Sequence, residues 1–122
     1  MSRFRALVEE AKTRVSEMEQ ATLCDKLARK EPLCLIDVRE RDNWEKGHIT
    51  GAQHLEKGVL ELKIEEMAPD PETEIVLYCG GGSRAALAAE SLQRMGYKRV
   101  ASLAGGFRGW KAAKLPVDGE GA

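Results

Sequence analysis

The most constraining feature of the sequence is a pair of short segments that are apolar almost throughout. Residues 33–38 read LCLIDV and residues 75–78 read IVLY, without the regular polar–apolar alternation of a half-exposed strand. Strands of this composition are typical of a parallel sheet that helices cover on both faces. Because helical patterns lie between them, the two segments predict an α/β fold with a mainly parallel sheet.

Helical patterns flank these strands along the whole chain. Phe4, Leu7, Val8 and Ala11 recur at helical spacing and predict an N-terminal amphipathic helix within residues 1–14, which either packs on its own domain, the favoured reading, or docks a partner. Further helices are expected at 19–29, 41–46, 61–67, 84–95 and 107–113, a third strand at 99–103 and a brief extended piece at 53–55. We expect one domain over 15–117 and a polar tail over 118–122.

Composition and charge exclude several functional classes. The 122 residues carry 19 Lys and Arg against 20 Asp and Glu, so there is no excess of positive charge for nucleic acid or for an anionic membrane. No apolar run is long enough to span a bilayer. Glu9 and Glu10 interrupt the only apolar stretch near the N-terminus, so no secretory signal is expected and the predicted location is cytoplasmic.

The cysteines and histidines are too few and too scattered for a structural framework. Cys24, Cys34 and Cys79 are odd in number and form no CxxC pair, which argues against a disulfide scaffold. Only His48 and His54 could add imidazole ligands. We therefore expect neither a metal site nor a disulfide.

One segment, residues 75–95, combines a strand, a glycine-rich loop and a helix around a single cysteine. Cys79 follows the second apolar strand at its carboxyl end, where open α/β sheets bind their ligands. Glycines at 80–82 allow backbone amides to converge on one point, and the next helix adds unpaired amides and a positive dipole end. Arg84 contributes a permanent positive charge. The pattern predicts a cradle that stabilises the Cys79 thiolate, or a group bonded to it, for nucleophilic catalysis.

A structural interpretation of each candidate stays open. Cys79 could be a small buried apolar residue beside a permissive turn. Asp37 and Arg39 follow the first strand and form either a buried ion pair, the favoured reading, or groups that orient the loop. Cys24 and Cys34 could resolve a modified Cys79 only if the fold brings the sulfur atoms within disulfide geometry.

Four segments of the chain form a recognisable series. They read LIDVRE at 35–40, GHITGA at 47–52, VLYC at 76–79 with its loop, and LAGGFRGW at 103–110. In order and spacing they resemble the rhodanese domain family of sulfurtransferases over residues 15–117. The resemblance implies the rhodanese-like three-layer fold, with helices flanking a mainly parallel central sheet. It also implies that His48 holds a turn by hydrogen bonds rather than acting as a general base.

The same resemblance implies an activity. Cys79 would take a sulfane sulfur from a donor, carry it as a persulfide and hand it to a thiophilic acceptor, without a metal or organic cofactor. The donor would be a small anion such as thiosulfate or a low-molecular-weight persulfide, and the acceptor would be cyanide, a thiol or a protein. Asp37 and Arg39 would stand behind the loop. The substrate-binding residues would be Gly80, Gly81, Gly82, Ser83 and Arg84.

Two alternative functions remain open at this point. In this superfamily the active-site loop of the sulfurtransferases has the length Cys-x4-Arg, whereas that of the related cell-cycle phosphatases has the length Cys-x5-Arg. Four residues separate Cys79 from Arg84, so a phosphatase or arsenate reductase is the less favoured enzyme. The other alternative is a non-catalytic sulfur carrier or regulatory interaction module. Rhodanese-like domains that lack the cysteine play such roles, whereas this chain retains it.

Overall fold

The computed structural model describes residues 2–119, in which helices alternate with strands. The elements are α1 (Arg3–Lys12), β1 (Ser16–Met18), α2 (Gln20–Ala28), β2 (Cys34–Asp37), α3 (Arg41–Lys46), β3 (His48–Ile49), β4 (Gln53–His54), α4 (Leu60–Met67), β5 (Glu74–Tyr78), α5 (Ser83–Arg94), β6 (Arg99–Leu103), α6 (Gly106–Ala112) and β7 (Val117–Asp118). Every predicted helix is present, with its ends displaced by at most a few residues. Within residues 2–119 no helix has both the length and the apolar content to cross a membrane.

Five strands form one sheet in the order β1-β6-β5-β2-β4, and each neighbouring pair runs parallel. In β5, at the centre, Tyr78 lies opposite Asp37 of β2, and Leu77 lies opposite Ser102 of β6. β3 and β7 form a separate antiparallel pair. The predicted α/β fold with a mainly parallel sheet is confirmed, and it places Cys79 at the middle of the carboxyl edge of the sheet.

The uninterrupted apolar character of β5 follows from having a core on each face. Ile75 and Leu77 point into one core, which α4 and α5 close. Val76 and Tyr78 point into the other, which α2 and α6 close. The buried side of α5 is mostly alanine, so this helix lies close to the sheet and its first turn comes close to the end of β5. The helices thus flank the sheet on both sides, which gives the three layers.

The N-terminal helix packs on its own chain. Val8 and Ala11 of α1 are buried, and α1 contacts α5. Phe4 and Leu7, on the same apolar pattern, are 49% and 53% exposed. The favoured reading of this helix therefore holds for one side of the predicted stripe, while the other side faces solvent. Residue 1 of the predicted segment 1–14 lies outside the described residues.

Three strands, β1, β3 and β7, carry no pattern that would predict them. β1 has three residues, mostly exposed; it pairs with β6 through its backbone, and Met18 packs against one of the two cores. In β7, Val117 and Asp118 pair with Ile49 and His48, so the polar tail predicted over 118–122 begins inside a strand. Residues 120–122 lie outside the described part of the chain. The division into a domain over 15–117 and flanking segments remains a prediction.

Candidate active site

Cys79 directly follows β5, and the loop and helix after it surround its side chain. The sulfur accepts hydrogen bonds from the backbone amide of Gly82 at 3.1 Å and from that of Ala85 at 3.4 Å. Gly82 has φ +103°, a conformation that favours glycine, and this turn leads directly into α5. Ala85 lies in the first turn of α5, where amides have no partner within the helix. Two amides and the positive end of a helix dipole therefore favour negative charge on the sulfur.

The amide cradle is narrower than the sequence suggests. Among the hydrogen bonds of residues 2–119, Gly82 is the one predicted loop residue whose amide reaches the sulfur, and Ala85 is a donor that the sequence did not single out. Gly80 and Gly81 form the outer part of the loop, where Gly81 is exposed. Cys79 itself is only 2% exposed, so the approach to its sulfur suits a small reactant.

The start of α6 holds the loop from the other side. The amide of Phe107 donates to the Cys79 carbonyl oxygen at 2.8 Å, and that of Arg108 donates to the Gly80 carbonyl oxygen at 3.0 Å. A Cβ atom at Gly106 would lie 2.6 Å from the Gly80 oxygen and 2.7 Å from the Cys79 oxygen. Only glycine allows the two backbone segments to come this close, so Gly106, in the LAGGFRGW segment, is needed for α6 to pack against the loop.

The side chain of Arg84 forms an ion pair with Glu40, a partner that the sequence does not indicate. Its Nη1 and Nη2 donate to the two carboxylate oxygens of Glu40 at 2.6 and 3.2 Å. The hydrogen bond to Glu40 raises the pKa of Arg84, with a smaller contribution from the nearby Cys79, and the same bond lowers the pKa of Glu40. The guanidinium charge therefore lies near the site but is balanced by a carboxylate. This ion pair depends on the tertiary fold, because Glu40 is 44 residues away from Arg84 in the sequence.

Arg108 is a second basic residue at the loop, and the sequence pattern gives it no role. Its Nε donates to the Gly80 carbonyl oxygen at 3.3 Å. Its guanidinium lies over the loop, since a Cβ atom at Gly81 would overlap sterically with Nη2. The signal was present, because Arg108 belongs to the LAGGFRGW segment, but nothing in that segment shows where its side chain goes.

Asp37 and Arg39 form a buried ion pair behind the loop. Asp37 is fully buried, and its Oδ2 accepts from Arg39 Nη2 at 2.7 Å. The same Nη2 donates to the Gly47 carbonyl oxygen, and the guanidinium lies 4.3 Å from the centre of the Phe107 ring. The pair thus connects β2 to the turn before β3 and to α6. Its contacts are structural, and none of them reaches the Cys79 sulfur among the described residues.

The two histidines hold backbone turns. Nδ1 of His48 lies 2.8 Å from the Trp44 carbonyl oxygen, and Nε2 of His54 lies 2.7 Å from the Arg39 carbonyl oxygen. The His48 ring also stacks on Trp44 with the ring centres 3.4 Å apart. Both histidines are therefore engaged with their own chain. Within residues 2–119, no three His, Cys, Asp or Glu side chains come together in a way that could hold a metal ion.

The other cysteines lie away from Cys79. Cys34 is paired in register with Ile75, four residues before Cys79 in the same parallel sheet. At about 3.3 Å per residue the two positions are roughly 13 Å apart, well beyond disulfide geometry. Burial raises the pKa of the Cys34 thiol. Cys24 lines an apolar groove of about 360 Å³ with Leu27 and Trp110, on the face of the sheet that α2 and α6 cover.

Comparison with known proteins gives a consistent family. The Rhodanese-like domain model matches residues 19–113. "Thiosulfate sulfurtransferase GlpE" of Coxiella burnetii is 37% identical over 86 residues, which cover 70% of this chain and 78% of that protein. "Putative sulfur carrier protein YrkF" of Bacillus subtilis is 31% identical over 96 residues; these cover 79% of this chain but only 51% of YrkF, so this chain spans about half of that relative.

A solved structure extends the likeness over almost the whole chain. A protein of unknown function from Rhodopseudomonas palustris, named a "Possible Tyrosine Phosphatase", superposes with a TM-score of 0.83 at 30% sequence identity. The match covers 97% of this chain and 96% of that one. The matched family domain spans the strand, loop and helix that surround Cys79 as well as the α6 segment that holds the loop. The chain belongs to the rhodanese-like sulfurtransferase family.

Proposed function

We propose that this protein transfers a sulfane sulfur through a persulfide on Cys79. The observation that carries the proposal is the pair of backbone amides, of Gly82 and Ala85, that donate to the Cys79 sulfur at 3.1 and 3.4 Å. A thiolate is the nucleophilic form of cysteine, and donors fixed on the sulfur stabilise that form. They also stabilise a persulfide anion, whose charge lies one atom further out.

The first half of the reaction loads the cysteine. The Cys79 thiolate attacks the outer sulfur of thiosulfate, a new S–S bond forms, and the original S–S bond breaks. Sulfite leaves with the electron pair of that bond, so no oxidant or reductant is consumed. The products are the Cys79 persulfide anion and sulfite, with the same total charge as the reactants. A low-molecular-weight persulfide can load the cysteine in the same way, with a thiolate as the leaving group.

The second half unloads it. The acceptor, cyanide or a thiol, attacks the outer sulfur of the persulfide, and Cys79 leaves as the thiolate that the amides of Gly82 and Ala85 stabilise. With cyanide the product is thiocyanate. A cysteine of a protein acceptor would react by the same step. Neither half needs a metal or an organic cofactor.

Two observations bear on the alternative functions. The name of the Bacillus subtilis relative favours a sulfur carrier, in which Cys79 would form the persulfide but pass its outer sulfur only to a partner protein. The name of the Rhodopseudomonas palustris structure favours a phosphatase. Against a phosphatase, the loop from Cys79 to Arg84 has only four intervening residues, and Arg84 is engaged by Glu40. A tetrahedral oxyanion would need the amides and the arginine together.

The test is thiocyanate formation from thiosulfate and cyanide by the Cys79→Ala variant. We expect a loss of at least about a thousandfold, as removal of a covalent nucleophile causes. Cys24→Ser is the matched control, since this cysteine packs against the core on the other face of the sheet from Cys79, and the variant should keep its turnover. Turnover retained by Cys79→Ala would overturn the proposal. A persulfide on Cys79 without turnover to cyanide would favour the carrier, and hydrolysis of p-nitrophenyl phosphate would favour the phosphatase.

A further inference from the structure

We propose that Arg108, and not Arg84, is the residue that binds the charged end of an anionic sulfur donor. The inference rests on the proposed function and adds a specificity-determining residue to it. It follows from three features of the structure: the way α6 fixes Arg108 on the loop, the space that Gly81 leaves for its guanidinium, and the balance of charge at the site.

The backbone of Arg108 is fixed relative to Cys79. Its amide donates to the Gly80 carbonyl oxygen at 3.0 Å, and the preceding amide, of Phe107, donates to the Cys79 carbonyl oxygen at 2.8 Å. The close approach of Gly106 to the same two carbonyl groups leaves α6 little room to slide. The Cα atom of Arg108 therefore keeps a constant position beside the cysteine, which a donor-binding residue needs.

The side chain of Arg108 lies back across the loop. Nε donates to the Gly80 carbonyl oxygen at 3.3 Å. A Cβ atom at Gly81 would stand 3.2 Å from Arg108 Cζ and closer still to Nη2, so this place is open to the guanidinium only because residue 81 is glycine. With Nε engaged, the donors on Nη1 and Nη2 remain available at the exposed part of the loop, beside Gly81, which is two residues after Cys79 in the sequence.

Of the three arginines described beside the loop, Arg39, Arg84 and Arg108, only Arg108 has no carboxylate partner within residues 2–119. Arg84 is bound by both carboxylate oxygens of Glu40, and the buried Arg39 is paired with Asp37. Within residues 2–119, no carboxylate lies within 4.0 Å of the Arg108 guanidinium. A guanidinium that keeps its Nη1 and Nη2 donors open matches two oxygens of a sulfonate group in a forked arrangement.

This placement assigns Arg108 a part in the loading step. While the Cys79 thiolate attacks the outer sulfur of thiosulfate, Arg108 binds the sulfonate end and stabilises the negative charge that grows there as sulfite departs with the electron pair of the broken S–S bond. A donor without a sulfonate group offers no pair of oxygens for Arg108 to bind. Aminoethyl persulfide is such a donor, because its far end carries an ammonium group in place of the sulfonate.

The first experiment measures the rate of persulfide formation on Cys79 by quenched intact-mass spectrometry, at subsaturating donor, for thiosulfate and for aminoethyl persulfide. In Arg108→Ala we expect the thiosulfate rate to fall roughly tenfold or more, the loss expected for a charge-assisted hydrogen bond. The aminoethyl persulfide rate should stay within about twofold, since no such bond is lost. Lys111→Ala is the matched control, because it removes the same charge from an exposed position of the same helix and should leave both rates unchanged.

A second variant displaces Arg108 without removing it. In Gly81→Ala the new methyl group occupies the place of Nη2, and because the obstructing atoms are the end of a flexible side chain, the arginine can swing away at little cost in stability. This variant should show the same donor-selective loss as Arg108→Ala. The double variant should lose no more than either single one, because both act through one contact.

The outcomes separate the inference from the function beneath it. A thiosulfate-selective loss in Arg108→Ala and Gly81→Ala, absent in Lys111→Ala, supports the assignment. An equal loss for both donors would show that Arg108 only holds the loop in shape, and no loss would show that it binds no donor; either result overturns the inference while persulfide chemistry stands. If the wild-type protein forms no persulfide with either donor, the proposed function fails first, and the inference fails with it.

Discussion

Gly106→Ala tests whether α6 holds the cysteine loop in place. Gly106 has φ +57°, and an added Cβ atom would meet the Gly80 and Cys79 carbonyl oxygens at 2.6 and 2.7 Å. These are backbone atoms, so neither can rotate out of the way. The methyl group must therefore push α6 away from the loop, and it must strain the hydrogen bond from Phe107 N to the Cys79 oxygen.

The size of the effect follows from the separate contributions. Left-handed backbone in a residue with a Cβ atom costs about 1–2 kcal/mol, and overpacking against fixed atoms costs a further 1–3 kcal/mol or so. The free energy of unfolding should therefore fall by roughly 2–5 kcal/mol. In a domain of this size that corresponds to a melting temperature lower by roughly 10–20 °C. Persulfide formation should also slow, because the loop that carries Cys79 moves.

Gly96→Ala is the control for backbone strain alone. Gly96 has φ +103°, but a Cβ atom there would have no neighbour within 4 Å, and the position lies after the far end of α5. This variant should lose about 1–2 kcal/mol of stability and keep its rate of persulfide formation at temperatures where it is folded. Thermal unfolding followed by circular dichroism, together with the loading rate, gives both quantities. If Gly106→Ala unfolds no earlier than Gly96→Ala and loads sulfur as fast, the contact between α6 and the loop does not position the cysteine.

Two further predictions follow from the same structure. Iodoacetamide near neutral pH should alkylate Cys79 faster than Cys34 or the more exposed Cys24. The reason is that backbone amides stabilise the Cys79 thiolate, whereas burial raises the pKa of the Cys34 thiol. Equal alkylation rates, measured by peptide mapping, would contradict this. Asp37→Asn should lower the free energy of unfolding, measured by urea titration, by about 3–5 kcal/mol, since it leaves buried Arg39 without its counter-charge. The control, Asp25→Asn, removes a carboxylate from an exposed ion pair and should cost under about 1 kcal/mol. Similar losses in the two variants would contradict the prediction.

The elements that carry the chemistry were predictable because local pattern and burial agree there. Both faces of β5 are buried, so its apolar run gives the strand, and the small residues of α5 at helical spacing give the helix that packs on it. The loop between them contains glycine where a positive φ is needed, at Gly82. Cys79 could therefore be placed at the carboxyl end of a strand, beside a helix N-terminus, from the sequence alone.

The parts that escaped prediction depend on contacts between distant segments. β1 and β7 have too few residues to show a period, and backbone pairing with β6 and β3 is what makes them strands. The ion pair of Arg84 with Glu40 joins residues that are 44 positions apart, so the sequence near Arg84 does not indicate it. The approach of Arg108 to Gly81 depends on how α6 docks, which no local pattern encodes.

The central claim, that the amides of Gly82 and Ala85 make Cys79 a carrier of transferable sulfur, is tested most directly by mass spectrometry of the intact protein after incubation with thiosulfate. The predicted result is a gain of about 32 Da, one sulfur atom, located on the peptide that contains Cys79 and lost again on addition of cyanide with release of thiocyanate. A mass that does not change, or a gain located on Cys24 or Cys34 instead, would contradict it.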